Sequence, residues 1–341
     1  MSKTSQSKKY ADPTTENNRT ENNGSFGTVC EIQRNSYNIL VGNKTIRAKL
    51  KGNFFRENEE LPVVGDNVAF LLNEKGDSLI TSVCERRSVL KRSYAADHSM
   101  DYGKEQVMVA NVDYVFIVSS LNDNYNFNRI ARYVSMTLQG NAIPVVILTK
   151  ADLCSNPGRY ASEIEELSDK VSVHCVSALY GIGTEELNKY LQPGKTIAIL
   201  GSSGVGKSTL VNALVQEDVM KTSEIRESDA KGRHTTTHRQ MIVLLNGARI
   251  IDTPGMRELG MCDMDQGIDD TFPDIAELES CCKFSNCRHE TEPGCAIRAA
   301  IADGTLAQDR YELYRSLHEE SRHAAKMKDI SKWRKQLKKQ R

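Results

Sequence analysis

The sequence predicts an α/β protein in three parts. A small all-β barrel comes first. A parallel sheet follows, covered by helices on both faces and carrying a phosphate-binding loop. A mainly helical end then holds a cysteine–histidine cluster. Three observations predict this. Short β-prone runs fill residues 26–92 with no helical pattern between them. From Asp113 to about Leu259, continuous apolar runs alternate with stretches of helical period, the pattern of buried strands joined by helices. Beyond Met261, "CCKFSNCRHETEPGC" crowds cysteine and histidine together before a long charged helical stretch.

Size and composition are compatible with that plan. The chain has 341 residues, 39% of them hydrophobic and 26% charged, with a formal net charge of zero, enough for two or three domains. The zero hides an asymmetry: between Arg322 and Arg341, Asp329 is the one acid among many lysines and arginines. No apolar run reaches the roughly 20 residues that span a bilayer. Residues 1–25 lack an apolar signal core and read as a disordered polar tail. Of nine cysteines, Cys30, Cys84, Cys154, Cys175 and Cys262 are scattered and four cluster. That suits a reducing cytoplasm and one metal site better than a disulfide framework.

Taken in order, "FGTVCEIQ", "SYNILV", "TIRAKLK", "VVGDNVAFLL" and "LITSVCER" are five strands separated by turn residues. Five strands fit an OB-fold barrel, with an SH3-like barrel as the alternative. Arg47, Lys49 and Lys51 alternate, so they share one strand face. That face suits RNA phosphates, or equally a solvated edge strand. The sheet region reads as strand "YVFIVSS", helix "NRIARYVSMTLQG", strand "IPVVILTK", helix "ASEIEELSDK", strand "VSVHCVSA", helix "TEELNKYL" and strand "TIAIL". After a phosphate loop and its helix come strands "HRQMIVLL" and "ARIIDTPG".

The chemistry sits at the ends of these strands. "GSSGVGKST" (201–209) lies between a strand and a helix, the context that gives the P-loop pattern its meaning. Gly201, Ser202, Ser203, Gly204, Val205 and Gly206 wrap backbone N–H groups around phosphate oxygens. Lys207 reaches the outer phosphates, the Ser208 hydroxyl binds Mg²⁺, and Thr209 continues into the helix. Asp252 ends a strand where an acid holds Mg²⁺ through water, and Gly255 offers its N–H to a γ-phosphate. "TKAD" (149–152) reads guanine. The Asp152 carboxylate accepts from the base's N1–H and N2–H₂, the Lys150 stem lies along the ring, and Ala151 continues the loop. Ser177 and Ala178 end the next strand, with the Ala178 N–H facing guanine O6. Cys282, Cys287, His289 and Cys295 make a closed Cys₃His set suited to one structural tetrahedral zinc. Cys281 is the competing neighbour.

The base reader stands before the P-loop, the reverse of a Ras-like GTPase. The same ring of elements has been cut open after "DTPG" and its old ends joined near "LQPGK". Such permutation is tolerated because domain termini lie close together. This order, with "VGDNV" (64–68), "GRHTTT" (232–237) and the Cys/His cluster, resembles the circularly permuted GTPases of the RsgA type over residues 26–320. The resemblance implies an OB-fold barrel at 26–92, a permuted G domain at 93–260 and a zinc domain with a basic helical tail at 261–341. It implies a cytoplasmic, monomeric enzyme that binds GTP and GDP. That enzyme binds rRNA and hydrolyses GTP when stimulated by the small ribosomal subunit, late in that subunit's maturation. It also selects Cys282 over Cys281 as a ligand.

Two departures stand out. Thr149 replaces the usual Asn, and a hydroxyl offers fewer hydrogen bonds than an amide. It therefore has to give up either guanine N7 or a tie to the P-loop. Met256 replaces the water-orienting Gln that follows D-x-x-G. In the switch, Thr236, with Thr235 and Thr237 as rivals, completes the Mg²⁺ shell. The resemblance makes His234 the group that positions water, and Lys207, Thr236 and His234 the catalytic set.

Overall fold

The computed structural model describes residues 24–54, 60–93, 105–215, 240–252 and 264–339, with the backbone alone at 331, 332 and 334–339. The polar tail to residue 23, the "GRHTTT" segment, Gly255, Met256 and Cys262 lie outside these residues.

The barrel is built from β1 (Ser25–Gln33), β2 (Ser36–Val41), β3 (Lys44–Leu50), β4 (Asn67–Leu71) and β5 (Ser78–Val83). β1 pairs antiparallel with both β2 and β4, β2 with β3, and β4 with β5, while β3 and β5 run parallel. The circuit 1-2-3-5-4-1 closes, which is the five-stranded OB plan and excludes the SH3-like alternative. Period-2 alternation sends Val29, Ile39, Ala48, Val68, Phe70 and Ile80 inward, where they pack with Phe54. Arg47 and Lys49 do share an exposed face of β3, and both face Asp77, at 3.5 and 2.7 Å.

"VGDNV" is the joint between barrel and sheet. Asp66 is fully buried; it accepts the Val63 N–H at 2.7 Å and a fork from Arg86 at 2.7 and 2.8 Å. The Asn111 amide donates to the Gly65 carbonyl at 2.9 Å, and the Ala110 N–H to Val64 at 3.1 Å. From this joint extends an antiparallel ribbon, β6 (Val89–Ser93) with β7 (Glu105–Ala110), which the sequence reading did not foresee.

The central sheet holds β8 (Tyr114–Ser120), β9 (Ile143–Thr149), β10 (Ser172–Cys175), β11 (Thr196–Leu200), β12 (Gln240–Val243) and β13 (Arg249–Asp252), in the order 10-9-8-11-13-12. It is parallel except for β12, which runs antiparallel to β13 and meets β1 at Glu31 and Gln240. Successive residues of β8, β9 and β11 enter opposite cores. Val115, Val146 and Ala198 pack under α1 (Phe127–Gln139) and α2 (Pro157–Glu165). Phe116, Val145 and Ile197 pack under α3 (Lys207–Val215) and the 3₁₀ turn Glu185–Lys189.

Two helices depart from expectation. The stretch expected as a helix over 161–170 starts at Pro157, because Asn156 caps it and proline suits the first turn, and ends at Glu165. "TEELNKYL" forms a 3₁₀ turn, since the short span between left-handed Gly183 and Pro193 holds only a tight turn.

The C-terminal helices α4 (Asp265–Thr271), α5 (Pro273–Ser280), α6 (Ala296–Asp303) and α7 (Gln308–Lys339) continue the first core. Ile268, Phe272, Ile297, Tyr314 and Leu317 pack with Ile130 and Val134 of α1. α4 crosses α1 so closely that a Cβ on Gly267 would lie 2.2 Å from the Ser135 carbonyl oxygen. Glu320 of α7 takes a guanidinium nitrogen of Arg132 at 2.7 and 2.8 Å. Among the described residues, no helix is long and apolar enough to cross a membrane.

Candidate nucleotide site and metal centre

Parallel pairing brings the carboxyl ends of β9, β10, β11 and β13 to one edge of the sheet, where open α/β folds bind ligands. The P-loop leaves β11 there. Gly201, Gly204 and Gly206 have φ of 152°, 75° and 89°, and a Cβ on Gly201 would sit 2.4 Å from the Val118 carbonyl oxygen. Glycine is therefore required both for conformation and for close packing against β8. Lys207 opens α3 and donates to the Gly201 and Ser202 carbonyls at 2.9 and 2.6 Å, which folds its ammonium back across the loop. Ser208 and Thr209 stand in the same first turn, whose unpaired N–H groups carry partial positive charge. Asp252 closes β13 opposite Ile199 of β11, so its carboxylate sits on the strand next to the P-loop.

Thr149 ends β9, almost wholly buried, and its hydroxyl lies 2.6 Å from the Val205 carbonyl and 3.3 Å from that of Ser119. One proton serves the shorter bond, so the threonine ties "TKAD" to the P-loop. Lys150 takes a left-handed φ of 57° and turns the chain into the 3₁₀ turn Ala151–Leu153, where Asp152 is exposed. The Ala151 N–H donates to Val176 at 3.1 Å, joining "TKAD" to the Ser177–Ala178 loop. Ser177 closes that loop through paired bonds with Ile182, while its own buried hydroxyl has no partner. An orphaned polar atom beside "TKAD" is consistent with a polar ligand there. His234, Thr236 and Gly255 lie outside the described residues.

The Cys/His cluster is compact. Cys282, Cys287, His289 and Cys295 bring their ligand atoms within 4.8 Å of one another, while Cys281 is exposed and outside the group. His289 Nδ1 lies 3.6 Å from Cys282 Sγ and 3.4 Å from Cys295 Sγ, and the two sulfurs are 4.0 Å apart. A tetrahedral ion with ordinary thiolate and imidazole bonds needs edges of about 3.8 Å between sulfurs and about 3.6 Å from sulfur to nitrogen. The four residues fit a metal ion. Desolvation beside the other sulfurs pushes the Cys287 thiol up to about 11, a cost that a cation reverses by holding thiolates.

The supporting groups were not visible as motifs. His289 adopts a left-handed φ of 61°, unusual for a residue with a side chain. Glu292 organises this turn by accepting the N–H groups of Arg288, Glu290 and Thr291, each at 3.0 Å, and these bonds hold its carboxyl at about 2. His289 Nε2 faces a Glu279 carboxylate oxygen at an ion-pair distance of 3.2 Å, while Nδ1 faces the Cys282 and Cys295 sulfurs and is the ligand atom. The signal available in sequence was modest: an acid between ligands in "CRHETEPGC", and another one helical turn before Cys282.

A family model described as RsgA GTPase matches residues 83–262, and one described as RsgA N-terminal domain matches 27–80. The chain belongs to the RsgA GTPase family. It is therefore a GTP hydrolase of circularly permuted fold, as the order of its motifs led one to expect. A relative named small ribosomal subunit biogenesis GTPase RsgA 2, from Listeria monocytogenes, is 42% identical over 304 residues, covering 89% of this chain and 85% of the relative. A small ribosomal subunit biogenesis GTPase RsgA from Methanosarcina acetivorans is 41% identical over 304 residues, covering 89% and 79%. The crystal structure of YjeQ from Thermotoga maritima aligns with a TM-score of 0.66 at 28% identity, covering 87% of this chain and 98% of that one. YloQ, described as a circularly permuted GTPase, aligns at 0.62 over 91% and 98%. At 23% identity it speaks to fold alone. The RsgA family thus spans both the barrel and the permuted sheet.

Proposed function

We propose that this chain is a GTPase of small-subunit maturation, cytoplasmic and monomeric, which binds rRNA and turns over GTP when the small subunit stimulates it. The observation that carries the reading is the convergence of Thr149–Asp152, Ser177–Ala178, Gly201–Thr209 and Asp252 on one sheet edge. The names of its relatives supply the ribosomal context. The chain divides, on this reading, into a barrel at 26–92, a G domain at 93–260 and a zinc-bearing end at 261–341.

In the mechanism, Asp152 accepts the two guanine donors and the Lys150 stem covers the ring. The P-loop N–H groups and the Lys207 ammonium surround the β- and γ-phosphates and offset charge that builds during phosphoryl transfer. Ser208, Asp252 and Thr236 are the donors for Mg²⁺, which when bound neutralises phosphate charge. Gly255 donates to the γ-phosphate. With Met256 unable to orient water, His234 takes that role once the switch is ordered from outside. Cys282, Cys287, His289 and Cys295 would hold a zinc ion, whose work would be structural, since all four donors come from the protein. The basic end of α7, together with the β3 face, contacts rRNA phosphates; release of assembly factors follows from the change of nucleotide state.

The test is single-turnover GTP hydrolysis, alone and with purified small or large subunits. Stimulation by the small subunit alone, lost in His234→Ala with GTP affinity retained, supports the reading. Equal rates with and without small subunits overturn it.

A further inference from the structure

The metal cluster does not end at its four ligands. One carboxylate oxygen of Glu279, on α5, faces His289 Nε2 at an ion-pair distance of 3.2 Å. Its other oxygen lies 3.1 Å from the hydroxyl of Tyr314, on α7. That hydroxyl also lies 3.0 Å from Asp269 Oδ1, on α4. Asp269 Oδ1 in turn faces His318 Nε2 at 3.1 Å, and His318 Nδ1 faces Asp265 at 3.2 Å. Tyr314 is buried, 3% exposed, and packs edge-on against Phe272 and His318.

The chemistry of this chain is unbalanced at one point. Tyr314 has a single hydroxyl proton and two carboxylates that accept it. What decides between them is whether Glu279 already has another donor. With an ion on Nδ1, His289 must carry its proton on Nε2, and that N–H satisfies Glu279. The Tyr314 proton then goes to Asp269. Without the ion, His289 is free to change tautomer and turn away from Glu279. Glu279 then draws the Tyr314 proton, and Asp269 loses a donor. The two arrangements differ in which imidazole nitrogen of His289 carries its proton, exchanged through solvent, and in the direction of the Tyr314 hydroxyl; the number of protons on these side chains is the same in both.

Asp269 matters because of where α4 lies. It is the first described element after Asp252, the acid at the end of the nucleotide-side strand β13. Gly267 holds it against Ser135 of α1 at backbone distance, and the Gly267 N–H donates to Gln139 at 2.8 Å. A shift of α4 therefore acts directly on α1, a helix covering the sheet.

We propose that the metal centre sets the position and stability of α4 through the chain His289–Glu279–Tyr314–Asp269, with Tyr314 as the positioning residue. This goes beyond a purely structural zinc and rests on the metal reading of the cluster. Ion occupancy becomes a condition that the helix downstream of the phosphate-side strand senses.

The experiment uses the full-length protein and follows backbone hydrogen exchange in Asp265–Thr271, with metal content measured on each sample. In the native protein, stripping the ion with a chelator should speed exchange of these amides about tenfold, a local opening rather than global unfolding. Tyr314→Phe should keep one ion per chain, exchange α4 at the fast rate already when loaded, and gain nothing further on stripping. Glu279→Gln, which keeps the shape but offers one acceptor oxygen, should give an intermediate rate and serves if the phenylalanine variant does not fold. Full native protection of α4 in loaded Tyr314→Phe, or equal chelator responses in variant and native protein, overturns the proposal. An ion-free native protein overturns it too, and with it the metal reading. An ion-bearing protein with an insensitive α4 overturns this inference alone.

Discussion

The candidate nucleotide site and the candidate metal centre bring their residues together in opposite ways. Thr149, Ala178, Lys207 and Asp252 stand at or just after the carboxyl ends of four strands, and they share one edge of the sheet because parallel pairing aligns those ends. Cys282, Cys287, His289 and Cys295 sit in one short stretch, and they meet through local turns held by Glu292 and left-handed Gly294. The first kind of site depends on the fold and is indifferent to chain order, so cutting and rejoining the ring of elements leaves it whole. The second depends on chain order, since its turns are made of neighbouring residues, and it depends on the fold only for support. Each also borrows from the other's manner. Thr149 ties "TKAD" to the P-loop by a single hydroxyl, and Tyr314 joins Glu279, beside the metal turn, to Asp269 of α4.

The largest contrast should come from the ligands themselves. Cys287→Ser should lose the ion entirely and melt the stretch around 282–296, because metal binding is folding free energy for a site of this kind. GDP affinity should change far less. Metal analysis with two-probe thermal melting checks this; a variant that keeps its ion and a single transition would erase the distinction between the two sites.

Asp152→Asn should act in the opposite sense, leaving the ion and the melting profile alone. It exchanges an acceptor for a donor facing guanine, which should weaken GTP by about 2–3 kcal/mol and favour xanthosine nucleotides. Titration with both nucleotides reads the swap, and unchanged GTP affinity would remove "TKAD" from the base site.

A smaller effect should follow at the tie. Thr149→Val keeps shape but takes the donor from the Val205 carbonyl, costing about 1–2 kcal/mol for a buried group left without its bond. Weaker binding of both GTP and ATP, with selectivity unchanged, is expected, because the hydroxyl serves the P-loop and not the base. A change in selectivity instead would return Thr149 to the base.

The smallest effect should be at Glu292. Glu292→Ala frees three N–H groups of the metal turn and should lower metal affinity about tenfold, as loss of an outer support does. Chelator competition measures it. Native affinity would mean that the turn holds itself, without a carboxylate at its centre.

Much of this was legible in the chain. "YVFIVSS", "IPVVILT" and "TIAIL" fell where their apolar runs placed them, because strands covered on both faces must be apolar throughout. "GSSGVGKST" identified its loop because close wrapping of backbone admits little but glycine. The ribbon β6–β7 was not legible: each strand is short, and a register shift between Leu90 and Lys91 breaks the alternation that would mark a strand pair. The direction of β12 was hidden for a similar reason, since a four-residue strand carries no mark of parallel or antiparallel pairing.

By itself, then, the sequence determined the classes of its elements, the order that marks a permuted GTPase, and the residue types able to hold phosphate, guanine and a metal. These follow from side-chain chemistry and from period, both local properties. The tertiary structure alone decided which bond Thr149 makes, that "VGDNV" buries Asp66 against Arg86 as the joint of barrel and sheet, and that Glu279 and Tyr314 link the metal turn to α4. Each of these is a choice among several possible partners for one polar group. Only the packing of distant elements brings one partner within bonding distance and removes the rest.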